Sequence, residues 1–538
     1  MKKLLLPALL AFASLATLPL STAQAQTCGT PTQVVTGTIT ANTRWTADKI
    51  YVLAGFVYVD NNAQLTIDPG TIIRGDKLSK GTLIIKQGAR IIADGTAARP
   101  IVFTSNQAPG ARGRGDWGGL IICGRAPVNL AGTPTVEGGV GAQYGGTDAN
   151  DNSGTLRYVR IEYPGIAFGQ DNEINGLTLA GVGAGTTIDY VQVSNSGDDS
   201  FEWFGGTVNA KHLVAIGATD DDFDTDNGYS GKVQYAVTLR NPAEGDISGS
   251  TAFESDNDAG GTSNNPRTSP VFSNVSAFLQ GPGTGNFTRA MHLRRNTQIS
   301  IFNSVLTGWP TGLTLDGAGA QANATSGALT LKNNVMADMG NNFQAAGTGT
   351  TTYDVAGFWN TAGNANTIST LTALALDANN FTLTSPSFLP QSTSPLLSGA
   401  AFADAKLAGG FFDNVAYRGA FGATNWLSGW TNFNPQTTDY CAVATSSKKA
   451  SDQVQGLGVY PNPTAGASAV AFELRRAGAV TVRVLDVTGR EVAVVTENQK
   501  LAAGKQEVKL PATLTNGVYT ATVQTEETSA AVRFVVTK

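Results

Sequence analysis

Cysteine, histidine and charge are all scarce in this sequence. Three cysteines (Cys28, Cys123, Cys441) and two histidines (His212, His292) among 538 residues are too few and too scattered for a cysteine or histidine zinc site. Three thiols also allow only one disulfide. Cys28 and Cys441 flank the whole middle of the chain and could tie its ends together, whereas Cys123, inside Leu120-Ile121-Ile122-Cys123, reads as a buried strand residue. Charged residues are 14% of the chain and the net charge is −5, so nothing offers the basic surface that nucleic acid or an anionic membrane requires. No stretch after Ala25 is apolar enough to span a bilayer. A phosphate loop, a serine nucleophile elbow and a dinucleotide fingerprint are absent. Long helical periodicity is missing too, which argues against a doubly wound α/β fold.

What the chain has in plenty is glycine, 63 residues of it, with Thr, Asn, Val and Ile in short runs. That is an all-β, turn-rich composition. The length is too great for one ordinary core unless the core grows by stacking. Residues 1–25 read as a secretory signal peptide: Lys2 and Lys3, an apolar run from Leu4 to Leu20, and the small-x-small site Ala23-Gln24-Ala25.

The middle of the chain is organised around residues 196–256, where one aromatic-acid pattern recurs three times. Phe201-Glu202-Trp203 is followed at an offset of 22 by Phe223-Asp224-Thr225, and at a further offset of 30 by Phe253-Glu254-Ser255. Such a period in strand-like sequence belongs to stacked coils. Earlier and later segments, such as Leu83-Ile84-Ile85, Ile188 to Val193 and Ile299 to Val305, share the same grammar of short strands broken by Gly, Asn and Asp. The expectation is a right-handed parallel β-helix over residues 26–340, similar to the pectin-lyase fold. An irregular region follows at 341–441, and its aromatic-dense stretch from Phe411 to Phe433 is expected to cap the open end of the coil. A polar linker at 442–455 leads to residues 456–538, where about seven alternating strands predict a small β-sandwich.

Four ordered motifs mark that last module: Tyr460-Pro461-Asn462-Pro463, Asp486-Val487-Thr488-Gly489-Arg490, Asn516-Gly517-Val518-Tyr519 and Arg533 to Lys538. Together they resemble the type A C-terminal sorting domain of the type IX secretion system. The resemblance implies handling by that machinery, export across the outer membrane to the cell surface or beyond, and removal of the domain there. Gly115-Asp116-Trp117-Gly118-Gly119, Asn172 to Leu177 and Asp198 to Val208 resemble a family of secreted β-helix passengers, which implies fold and location but no reaction.

Eight acids lie between Asp198 and Asp226, against one base, Lys211. Stacking the repeats turns Glu202, Asp224 and Glu254 into a ladder, with Asp226 and Asp256 beside it. Adjacent strands are roughly 4.8 Å apart, so the repulsion needs an offset: a cation, raised pKa values, or arginines such as Arg294 and Arg295. A Ca²⁺ held by Glu202, Asp224, Asp226, Glu254 and Asp256 is one expectation. Solvated Asx-turn acids at coil corners are the alternative. Catalysis is a third, with Asp198, Asp199, Asp224 and Asp226 as candidate carboxyls for a glycoside hydrolase and Arg294 as candidate base for a polysaccharide lyase. Asp224-Thr225-Asp226 and Gly197-Asp198-Asp199 are similar to polygalacturonase motifs, but in reversed order and without the accompanying Gly-His-Gly. Trp203, Phe204, Tyr229 and Trp309 could stack on sugars, although single aromatics are more often core. The functional expectation is an exported, non-catalytic surface protein that binds a glycan or another surface component or serves a structural role with no ligand; the alternative is a carbohydrate-active enzyme, a polysaccharide lyase or glycoside hydrolase, on the same face.

Overall fold

The computed structural model describes residues 30–169, 172–281, 283–347, 350–441, 454–486, 491–525 and 529–538. The expected signal peptide, Cys28 and most of the expected linker lie outside them. The chain divides into two compact units at residues 443 and 444.

In the first unit, 26 strands join one continuous sheet, and coil after coil pairs in parallel with the next. Leu83, Leu120, Leu177, Phe201, Phe223, Phe253, Met291 and Leu313 fall in register from coil to coil, and none has any exposed surface. Each strand is too short to bury much by itself. Stacking gives every backbone group a partner above and below and fuses the apolar residues into one column. The parallel β-helix is thus the observed architecture.

The glycines after the first aromatic-acid pair have a specific task. Gly206 takes φ +87, and a Cβ there would stand 2.5 Å from the carbonyl oxygen of Val182. Gly206→Ala is therefore expected to lose about 1–3 kcal/mol, read as a lower urea midpoint. An unchanged midpoint would show that the turn relaxes freely.

One bend recurs in successive coils. Tyr158, Tyr190, His212, Tyr235, Asn274, Asn303 and Asn333 all take left-handed backbone, with φ between 50 and 61°. Asn tolerates this conformation, whereas bulky residues need compensation. The four rings obtain it by stacking, with centroids 4.4, 4.1 and 5.1 Å apart.

Two expectations need correction here. The coil continues beyond residue 340: Asn341–Ala346 pairs with Thr311–Asp316, and Thr367–Ser369 pairs with Val335–Ala337. Its hydrophobic period fades in the last coils while the backbone ladder persists. The aromatic stretch from Phe411 to Phe433 does not cap the end. It belongs to a strap that returns along the flank, where Trp430 and Phe421 cover Val214, Val237, Phe278, Val305 and Val335. Those strand residues are apolar on the outer face as well as the inner one, so the flank required a cover. The final coil is instead covered by Trp359 of the short helix Val355–Trp359, which is fully buried beside Phe343.

Amide side chains hold the strap by its backbone. Asn303 Oδ1 accepts from the N–H of Ala401 at 2.9 Å while its Nδ2 donates to the same residue's carbonyl at 3.2 Å. Gln234 grips Asp413 the same way, at 2.8 and 2.9 Å, and Gln192 grips Asn432 at 2.9 and 2.7 Å. The strap ends at Tyr440, packed on Ile50, Ile72 and Val102 of the first coils, with its hydroxyl donating to Glu162 at 2.6 Å. Cys441 is disulfide-bonded and Cys123 is free and buried.

The second unit is a small antiparallel sandwich. Val454–Tyr460, Ala469–Leu474 and Gly504–Lys509 form one sheet, and Gly478–Leu485, Glu491–Leu501, Gly517–Thr525 and Ser529–Val536 the other. Val470, Phe472, Val480, Val482, Ala521, Val523 and Phe534 share their common core.

Candidate functional site

The strands that carry the aromatic-acid repeats alternate inward rings with outward polar groups. Phe201, Phe223 and Phe253 point to the core, so Glu202, Asp224 and Glu254 must share the opposite face. The register places Glu202 opposite Asp224 and Asp224 opposite Glu254. The row continues through His292 and Thr314. Asp198, Asp199, Asp220 and Asp221 sit in the turns that enter these strands. This face is recessed: Asp199 and Glu202 are each only 6% exposed.

The acids divide into two groups with different electrostatics. Glu254 and Asp256 have cationic partners. Arg294 pairs with Glu254 and donates from Nε to Asp256 at 2.9 Å, and Arg295 reaches Asp256 at 2.8 Å. His292 bridges Glu254 at 3.2 Å and Asp316 at 3.1 Å. Burial by itself would raise the Glu254 pKa, but the His292 bond and the Arg294 charge outweigh it and hold the carboxyl below its ordinary value. Asp316 is lowered chiefly by its bond to His292. Burial disfavours the charged form of His292, yet its bonds to Asp316 and Glu254 raise it overall. Arg294, candidate base in the sequence, is held as a cation between two carboxylates, and this removes it from proton abstraction.

The second group forms no ion pair among the described residues. Asp198, Asp199 and Asp220 bring ligand atoms within 4.8 Å of one another, and so do Asp199, Glu202 and Asp224. Burial, followed by repulsion from neighbouring carboxylates, pushes Asp198, Asp199, Glu202, Asp221 and Asp224 well above the ordinary range. Asp220 is raised to about 6. At the edge of this group Asp226 is raised to about 7 by burial and by Asp256. Asp199 and Asp221 each give one oxygen to the coil itself, accepting from the N–H of Asp221 at 2.8 Å and of Thr251 at 2.6 Å. Asn175 donates to both Glu202 and Glu137. Among the described residues, Asp224 Oδ1 is shut off from solvent without a hydrogen-bond partner.

Glu137, Asn175, His292 and Asp316 were not singled out as site residues from sequence. Met291-His292-Leu293 does sit under Phe253-Glu254-Ser255 in the same alternation, but the aromatic that marks the repeat has become methionine. Trp203, Tyr229 and Trp309, considered as sugar platforms, are fully buried core residues.

In the second unit, the first and last sorting motifs meet. Asn462 Oδ1 accepts from the N–H of Val535 at 2.8 Å, and the N–H of Thr464 donates to the Val535 carbonyl at 2.9 Å. Asn516 bonds to Lys538. Residues 487–490 of the middle motif lie outside the described residues.

Comparison with known proteins agrees with this division. Residues 458–537 match the secretion system C-terminal sorting domain, so the chain is handled by the type IX machinery and exported across the outer membrane to the cell surface or extracellular space. Among the described residues, no helix is long and apolar enough to cross a membrane. No curated protein matches the chain. Among solved structures, the enzymatically active domain of bacteriophage CBA120 tailspike protein 2 aligns at 11% identity and a TM-score of 0.23, over 90% of this chain and 72% of that one; a likeness so slight carries no argument. Residues 37–379, well over half of the chain, match the pectate-lyase like β-helix domain, and the chain belongs to that family.

Proposed function

We propose that this exported protein is a non-catalytic component of the cell surface or extracellular space, whose recessed acidic face holds a Ca²⁺ and whose coil engages a glycan or another surface component. The observation that carries the metal is the contrast between neighbours. Glu254 and Asp256 have arginines, whereas Asp224, one coil away, and Asp199 and Glu202, two coils away, crowd together with no ion pair among the described residues. Ca²⁺ takes six to eight oxygens at about 2.3–2.6 Å, so opposite ligands stand roughly 5 Å apart. Carboxylates within 4.8 Å of one another suit that span. Asp199, Glu202 and Asp224 would hold the ion, with Asp198 and Asp220 adding oxygens from the turns, and the unpartnered Asp224 Oδ1 is a natural ligand atom. Bound there, the ion would replace the protons that the buried acids otherwise take up. Asp226, Glu254 and Asp256 then frame the site rather than forming its centre. Calorimetric titration of the full chain with Ca²⁺ tests the reading: one site, abolished in Asp199→Asn, is expected, and no heat of binding in the wild type would remove the metal.

One feature favours a carbohydrate-active enzyme as the second reading. Asp224 and Glu254 stand opposite each other on adjacent strands, one without an ion-pair partner among the described residues and one with an arginine and a histidine, as an acid and a base would be. A panel of neutral and uronate polysaccharides incubated with the chain decides between them. New reducing ends or unsaturated products, lost in Glu254→Gln, would establish the enzyme; no products would leave the binding protein.

A further inference from the structure

A cavity of about 820 Å³ opens beside the last coils, away from the acidic face. Its walls are the end of the helix Ala318–Ser326, the strand Thr330–Lys332, the segment from Tyr353 to Phe358, and the strap at Asp404 to Lys406. Three of these come from insertions or from the strap, so no single repeat encodes the site. Its volume falls in the range of small-molecule pockets, roughly 300–1,000 Å³.

The chemistry of the lining selects a ligand class. Tyr353 and Phe358, both half-buried, supply aromatic surface from one segment. Both lysines are already committed. Lys406 Nζ donates toward four oxygens: Ala328 O at 2.6 Å, Ser300 Oγ at 2.9 Å, Thr330 Oγ1 at 2.9 Å and Gly327 O at 3.2 Å. An ammonium has three protons to give, so none is left for a ligand. Lys332 Nζ pairs with Asp404 Oδ2 at 2.7 Å. Two lysines face two aspartates, Asp354 and Asp404, so the described lining carries no net charge, and the charge of Lys332 is neutralised by Asp404. What remains are acceptors and hydroxyls. Asp404 and Asp354 each take a backbone N–H on one oxygen, from Lys406 at 3.0 Å and Gly357 at 2.7 Å, and a carboxylate has further lone pairs. Thr325 Oγ1 gives its proton to the Gln321 carbonyl at 2.9 Å, so the Tyr353 hydroxyl, 3.2 Å from it, donates there and keeps a lone pair for a ligand O–H.

Aromatic surface beside carboxylate acceptors and hydroxyls, with charge balanced, is the complement of a ring that has an apolar face and several O–H groups. We infer that this cavity binds a neutral saccharide of a few units. The inference rests on reading the chain as a glycan-binding surface protein, and it places the glycan at the end of the coil rather than on the acidic face.

The test is calorimetric titration of the full chain with cellotetraose, xylotetraose and mannotetraose, with trigalacturonate as the charged control. Saturable binding of at least one neutral tetrasaccharide is expected. Tyr353→Ala and Phe358→Ala should each weaken it about tenfold, the equivalent of 1.4 kcal/mol, while Asp224→Asn and EDTA leave it unchanged. Tyr353→Phe keeps the ring and its packing, so a severalfold loss there supports the assignment even if Tyr353→Ala unfolds. No neutral tetrasaccharide binding at millimolar concentration, or preference for trigalacturonate, overturns the inference. Binding lost in Asp224→Asn and kept in Tyr353→Ala also overturns it, and returns the glycan to the acidic face with the proposed function intact.

Discussion

Replacing Arg240 by methionine is expected to cost the first unit about 3–5 kcal/mol, among the largest effects of any single substitution in this chain. Arg240 and Asp222 form an ion pair at 2.9 Å in which both side chains are fully buried. Thr238 Oγ1 gives Asp222 a second bond, and the guanidinium lies over the Phe287 ring at 5.2 Å. Burial raises the pKa of Asp222, against the opposing pull of Arg240 and Thr238. Removing the cation leaves a fully buried carboxylate with the Thr238 hydroxyl for company. The double variant Arg240→Met, Asp222→Asn should recover much of the loss, because the uncompensated charge goes with it. Urea midpoints of the wild type, both single variants and the double variant measure the coupling. A loss for Arg240→Met of only about 0.5 kcal/mol, as for an ordinary surface substitution, would show that water or another group reaches Asp222.

The second large effect concerns pH and the acidic face. In EDTA, the apparent melting temperature should fall steadily as pH rises from 5 to 8. Asp220 and Asp226 have folded-state pKa values of about 6 and about 7, above the ordinary carboxylate value near 3.9. Asp199, Glu202, Asp221 and Asp224 are raised well above it too. A native state that binds protons more tightly than the unfolded chain has that stability in full below the unfolded pKa and loses it as pH passes the folded one. His292, also raised, acts in the same direction. Glu254 and Asp316, which are lowered, act in the opposite sense, but their contribution is lost only on acidification below the ordinary carboxylate range. Millimolar Ca²⁺ should flatten the profile and add roughly 3 kcal/mol at a hundredfold excess over its dissociation constant, with Asp199→Asn abolishing the gain. A profile flat in EDTA and indifferent to Ca²⁺ would mean that these carboxyls are solvated turn residues. An alkaline loss that Ca²⁺ does not repair would mean that they are protonated structural acids.

Much of this is legible in the sequence. The aromatic-acid repeats set the register of three coils, because an inward ring at Phe201, Phe223 and Phe253 forces the following acid outward. The structure pairs these residues as the offsets of 22 and 30 required. Less legible were the partners from other coils. Glu137 arrives from a loop far earlier in the chain than Glu202, and Asn175 from the coil beneath; neither carries a local pattern that announces the contact. His292 lies on the ladder, but a methionine stands where its neighbours have phenylalanine.

By itself the sequence determined the repeating coil, its inward column and the export domain, since each depends on spacing within neighbouring coils and on short ordered motifs. Only the tertiary structure decided which acids keep a counter-ion. Arg294 and Arg295 follow the strand after Glu254 and reach back one coil to Glu254 and Asp256, leaving Asp199, Glu202 and Asp224 to crowd without one among the described residues. It also decided the route of the aromatic strap. Phe421, Trp426 and Trp430 could have covered an end or a side equally well, and the outward Val, Leu and Phe residues of the flank, exposed on every coil without a cover, made the side the larger apolar surface to bury.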